Sequence, residues 1–170
     1  MIPTQSHTHL PRVAILLGVA GLLPFIGTGL GSVVNDQVEA LRMLSALMTY
    51  GAVILSFLGG VHWGLALDTA EDAKIARARL ILSVIPSLMG WGALLIAIAL
   101  PPEGGLALLI FGFVATMMTE ARAGRSGRMP TGYLRLRWGL SVVVVMVLAT
   151  VLVLRLLGAH LILPLNSTYW

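Results

Sequence analysis

Five long apolar runs fill most of this chain, and nearly every cationic side chain lies in the segments on one side of them. The runs extend over about Val13 to Val34, Met43 to Leu67, Leu80 to Leu100, Gly104 to Thr119 and Trp138 to Leu157. Four of them reach the roughly 20 residues that cross a hydrocarbon core. The fourth is short, and is expected to borrow a turn from its flanks or to thin the bilayer locally. With 58% apolar and 11% charged residues, against about 25% charged in a soluble domain, the chain has more apolar surface than a water-soluble core can hide. The predicted fold is all-α: a polytopic membrane helical bundle of five transmembrane helices, forming a single integral membrane domain over residues 1–170.

The charge distribution orients the bundle. With the N-terminus in the cytoplasm, the cytoplasmic segments hold Arg12, Lys74, Arg77, Arg79, Arg122, Arg125, Arg128, Arg135 and Arg137, and the far side holds only Arg42 and Arg155. That asymmetry is a strong positive-inside signal, so the C-terminus is expected outside and the protein in the cell (inner, cytoplasmic) membrane as a multi-pass protein. The net charge of +4 is accounted for by topology, without a nucleic-acid partner. The first run is longer than the 7–15 apolar residues of a signal-peptide core, and is expected to remain as a span. There are no cysteines, which excludes disulfides, thiolate metal sites and a cysteine nucleophile.

The connections carry local signals. Pro101, Pro102 and Glu103 suit a tight external turn, with proline in the first turn of the next helix and the carboxylate beside its positive dipole end. The stretch from Asp68 to Arg79 reads as helical, Thr69 and Asp72 having capping-box spacing. In the second run Ser45, Thr49, Ala52, Ser56, Gly59 and Trp63 recur at intervals of three and four, the period of a left-handed helix-packing seam. Ser56, Gly60 and Gly64 form a small-residue row beside it, Gly27 and Gly31 are another such pair, and Ser83, Ser87, Gly90 and Ala97 share a face of the third run, with Pro86 as a kink.

His62 is the most suggestive single residue. At 1.5 Å per residue it sits about 8–9 Å inside the cytoplasmic end of the second span, a depth at which an ionisable group is a functional candidate. The bland alternative is a neutral imidazole bonded to a serine or a carbonyl. Ser83, Ser87, Glu120 and Arg137 fall at similar depth, so one polar cluster at the cytoplasmic leaflet is expected. A His–Glu pair there could relay protons, and a cation with serine donors could hold a lipid or quinone head group. No metal or cofactor site is expected: His62 is alone in the membrane, which leaves haem without a second ligand, and no cluster has metal-ligand spacing. The arginines between Arg122 and Arg137 would each gain about 1 kcal/mol from an anionic leaflet, or could dock an acidic partner.

The segment SFLGGVHWG at 56–64 resembles the signature of a family of small membrane proteins of unknown function, which includes the eukaryotic transmembrane protein 69. SVIPSLMGW at 83–91 and MPTGYLRLRWGLS at 129–141 resemble it too, although Gly132-Tyr133 stands where relatives tend to carry an aromatic pair. The resemblance implies a five-helix membrane protein and draws attention to His62, Trp63, Pro86, Trp91 and Arg137 without assigning them roles. Three functional classes follow. The first is an accessory protein of a larger membrane complex, or one that binds a lipid or other hydrophobic ligand through His62, Trp63, Ser83, Ser87, Trp91, Glu120 and Arg137. The second is a small proton-coupled transporter. The third is a lipid-acting membrane enzyme with His62 and Glu120 as acid and base, which requires the two within hydrogen-bond reach.

Overall fold

The computed structural model describes residues 12–34, 36–68, 73–125 and 131–158, and among them the side chains of residues 62, 65–68, 73–76, 78–79, 122–125, 131 and 133–134 lie outside the description. Six helices make up the described chain: α1 (Arg12–Ala20), α2 (Leu22–Gly31), α3 (Gln37–Asp68), α4 (Ala73–Ala99), α5 (Pro102–Arg125) and α6 (Thr131–Leu156). α1 and α2 together form one span, so five helical segments are long and apolar enough to cross a membrane.

The first span breaks at Gly21 for a chemical reason. Pro24 has no N–H for the carbonyl of Ala20, and its ring crowds that carbonyl. The Tyr50 hydroxyl of α3 donates to the Gly21 carbonyl at 3.0 Å, fixing the break against the bundle. α3 starts earlier than its apolar run because Asp36 caps it: Oδ1 accepts from the backbone N–H of Val38 at 2.9 Å and of Glu39 at 3.1 Å, satisfying donors that the first turn leaves open. α5 begins with Pro102 in the first helical position, as the sequence suggests. It is not short, however. Its helix has 24 residues, since Glu120 does not end it; the carboxylate is carried inside the bundle against Arg137 and the helix runs on. Gly158, with φ of +63°, takes the left-handed conformation that commonly closes a helix, here α6.

α3 is the centre of the bundle. It packs on α2, α4 and α5, while α5 also reaches α4 and α6, and α6 returns to α2 and α1. The core between them is apolar, with Leu47, Leu55, Leu106, Leu109, Phe113 and Leu148 almost wholly buried. Phe25 of α2 meets Tyr50 and Phe113 edge-on, at ring-centroid distances of 4.9 and 6.2 Å, a preferred aromatic geometry.

α3 and α4 touch backbone to backbone. A methyl group added at Gly59 would lie 2.3 Å from the Ser83 carbonyl oxygen, and one at Gly90 would lie 3.0 Å from the Ala52 carbonyl oxygen. These are the close approaches that small residues permit between helices in lipid. The expected seam is therefore only partly used. Ala52, Ser56 and Gly59 face α4 or lie half-buried, but Ser45, Thr49 and Trp63 are exposed. Ser45 can face outward because its hydroxyl donates to the carbonyl of Leu41 at 2.9 Å, so it needs no partner helix. Gly60, Gly64 and Gly27 have nothing within 4 Å of the place a side chain would occupy, whereas Gly31 abuts Met43 as a packing glycine should.

Candidate functional site

Among the described residues two carboxylate–guanidinium pairs tie α5 to α6, one near each end. Consecutive antiparallel helices bring the C-terminal part of α5 level with the N-terminal part of α6, and there Arg137 Nη2 meets Glu120 Oε1 in an ion pair whose side chains are 8% and 2% exposed. At the opposite end Arg155 Nε donates to Glu103 Oε1 at 2.9 Å, with the two side chains about one-fifth exposed. The candidate spans begin at Arg135 in α6 and end at Ala121 in α5, so the inner pair sits just within the apolar slab, on the face of the arginine-rich connection. Buried charges in such a setting are costly unless paired.

Beside this pair lies a pocket of about 360 Å³, within the roughly 300–1,000 Å³ usual for small-molecule sites. Its walls come from α1 and α2 (Ala14, Leu17, Gly18, Gly21, Leu22, Phe25), α3 (Ile54, Phe57, Leu58), Phe113 of α5, and α6 (Leu136, Arg137, Leu140, Ser141, Val144). Arg137 and Ser141 are four residues apart, one above the other on the same helix face, and are the polar side chains of the lining. From Arg137 to Val144 the pocket follows α6 for about 10 Å. Among the described residues α1 packs on α2 and α6 and makes no contact with α3. The pocket lies between α1 and α3, and the exposed side chains of Leu17 and Phe57 belong to its lining.

The expected polar cluster is partly assembled. Glu120 and Arg137 are brought together. Ser83 is buried, but in the α3–α4 contact, its hydroxyl donating to the Leu80 carbonyl at 2.7 Å. Ser87 is half-buried on the same helix, and α4 makes no contact with α6 among the described residues. Trp63 and Trp91 are exposed, at 45% and 62%, and neither lines the pocket. Trp63 and Trp138 both lie toward the face of the arginine-rich connection, where indoles favour the membrane–water boundary. His62 is on α3, with its side chain outside the described set; Thr69, Asp72 and Arg128 lie outside the described residues altogether. Among the described residues no three His, Asp or Glu side chains gather as a metal site. Ser141 was not singled out from sequence, though its position four residues beyond Arg137 is a usable signal. The pocket itself had none, because it depends on how α1 leaves the bundle.

The chain matches the DUF3429 family, described as a protein of unknown function, over residues 10–153. It is similar to two curated proteins named transmembrane protein 69. The one from Xenopus tropicalis is 42% identical over 85 residues, 50% of this chain and 33% of that protein. The one from Mus musculus is 35% identical over 85 residues, 50% of this chain and 34% of that protein. The match thus spans about one-third of the length of these relatives. No solved structure matches.

Proposed function

The chain belongs to the DUF3429 family, and from that premise we propose that this multi-pass membrane protein binds a membrane-soluble, lipid-like molecule in the lateral pocket beside Arg137. The observation that carries this reading is the pocket's lining, an apolar cleft between α1 and α3 with Arg137 and Ser141 as its polar side chains; on this reading its mouth is the lipid-facing gap between Leu17 and Phe57. An apolar cavity with a few convergent polar groups is the usual form of a small-molecule site. The tail of an amphiphile lies against Leu17, Phe57, Leu140 and Val144, and its head reaches Arg137 and Ser141. In the orientation that the arginine asymmetry favours, the mouth opens into the cytoplasmic leaflet of the cell membrane. The basic stretch from Arg122 to Arg135, short of the buried Arg137, then faces anionic lipid. The protein works in this reading as a small accessory or carrier component beside other membrane proteins.

Native mass spectrometry of the full chain extracted in its own lipids tests the proposal. Wild type is expected to retain a small molecule that Ala14→Trp expels, since the indole fills the pocket from α1, a helix with no buried residue. A protein that emerges bare, or a bound species indifferent to Ala14→Trp, overturns it.

A further inference from the structure

We propose that the occupant of this pocket is uncharged, a membrane amphiphile whose head presents a carbonyl-type hydrogen-bond acceptor, and that the site discriminates against anionic amphiphiles. The inference rests on the reading of the pocket as a ligand site and adds the chemical class of the ligand. A lone arginine on an apolar wall would select an anion such as a carboxylate or a phosphate. Arg137 is not alone: Glu120 Oε1 contacts its guanidinium, and both side chains are buried. The guanidinium at the polar end of the pocket is therefore already ion-paired. An anionic head drawn to Arg137 would come to rest close to the Glu120 carboxylate, where two like charges with little water between them repel strongly. Displacing Glu120 instead would break a buried ion pair. An uncharged acceptor meets neither obstacle. It can take a hydrogen bond from the Ser141 hydroxyl, on the pocket wall one turn beyond Arg137, and lie in the field of the guanidinium without adding charge. The rest of the lining is hydrocarbon or aromatic, which suits an aliphatic or isoprenoid tail. Quinones and acylglycerols share this chemistry, an uncharged carbonyl head on a long apolar tail.

The test is a titration of the full chain, in an uncharged detergent, with three probes read by native mass spectrometry: monoolein, decylubiquinone and oleyl phosphate. Monoolein and oleyl phosphate carry the same eighteen-carbon tail by design (roughly the same apolar burial), so their difference reports the head. At least one uncharged probe is expected to bind about tenfold or more tighter than oleyl phosphate, and the uncharged probe that Ser141→Ala weakens identifies the source as quinone or glyceride. Glu120→Gln keeps the side chain's shape and removes its charge, and is expected to reverse the order in favour of oleyl phosphate. Ser141→Ala, outside the ion pair, provides a second readout should Glu120→Gln fail to fold. It is expected to weaken the uncharged probe several-fold, and unchanged affinity overturns the placement of the head. If oleyl phosphate binds wild type as tightly as the uncharged probes and Ala14→Trp expels all of them, the pocket reading stands and the charge inference falls. If no probe is sensitive to Ala14→Trp, the pocket reading itself falls.

Discussion

Replacing Gly59 by alanine tests the helix crossing on which the whole arrangement hangs. The new methyl carbon would sit 2.3 Å from the Ser83 carbonyl oxygen and 3.6 Å from Cβ of Pro86. Ordinary van der Waals contact starts near 3.4 Å, so α3 and α4 must part by about 1 Å. The obstacle is main chain in the turn before a proline, and no side-chain rotation relieves it. Parting the helices also loosens the second contact, two turns away, where Gly90 rests on Ala52. A radial gap of 0.5–1 Å forfeits roughly a quarter to a half of the dispersion attraction across it. Overpacking of this kind costs about 1–3 kcal/mol, and with backbone as the unyielding partner the expected value is about 2–3 kcal/mol. That lowers the folded-to-unfolded ratio roughly 30- to 150-fold. Gly60→Ala is the control, one residue along the same helix with nothing within 4 Å. The helix-propensity gain of alanine over glycine is common to both and drops out of the comparison. The assay is reversible unfolding in mixed micelles by titration with dodecyl sulfate, followed by far-ultraviolet circular dichroism. Gly60→Ala is expected to be about 0.5–1 kcal/mol more stable than wild type. Equal stability of the two variants would refute the backbone-to-backbone crossing.

The two ion pairs should behave differently. Arg137→Met removes the guanidinium paired with the buried Glu120 carboxylate and is expected to cost about 3–5 kcal/mol, whereas adding Glu120→Leu should restore most of that; a double variant as unstable as the single one would contradict the pairing. Glu103→Gln, at the partly exposed outer pair, is expected to cost less than about 1 kcal/mol in the same unfolding assay. Topology is open to direct labelling, because the chain has no cysteine. Pro101→Cys is expected to react with an impermeant maleimide from outside intact cells, and Ser126→Cys only after permeabilisation. The opposite pattern would invert the bundle.

The spans were legible because composition alone forces them: runs such as Leu80 to Leu100 have nowhere to go in water. The depth of the candidate residues was legible too. Glu120 and Arg137 flank one short connection, which places both near the same membrane face. That they touch was not, since contact depends on the rotational phase of α5 and α6, and helices that are apolar all round carry little phase information. Ser45 and Thr49 show the same limit from the other side. Small residues at packing intervals suggested an interface, yet a serine that bonds its own helix's carbonyl is content facing lipid. The apolar pattern of the first run predicts one uninterrupted span and misses the break at Gly21, although Pro24 carries its signal: the missing N–H names the bond that fails. The pocket that the break helps shape, and the pair of Glu103 with Arg155 across 52 residues of sequence, required the fold.

The contacts of Gly59 and Gly90 constrain how the molecule can move. Two points of backbone contact, seven residues apart on each helix, set both the spacing and the rotation of α3 against α4. The two helices therefore form a stator. α1 has the opposite character: it buries no residue, rests on α6 through Gly18 and Leu140, and joins α2 at a break pinned by Tyr50. For the proposed pocket this makes the α3 wall the tightly held side and the α1 wall the lightly packed one.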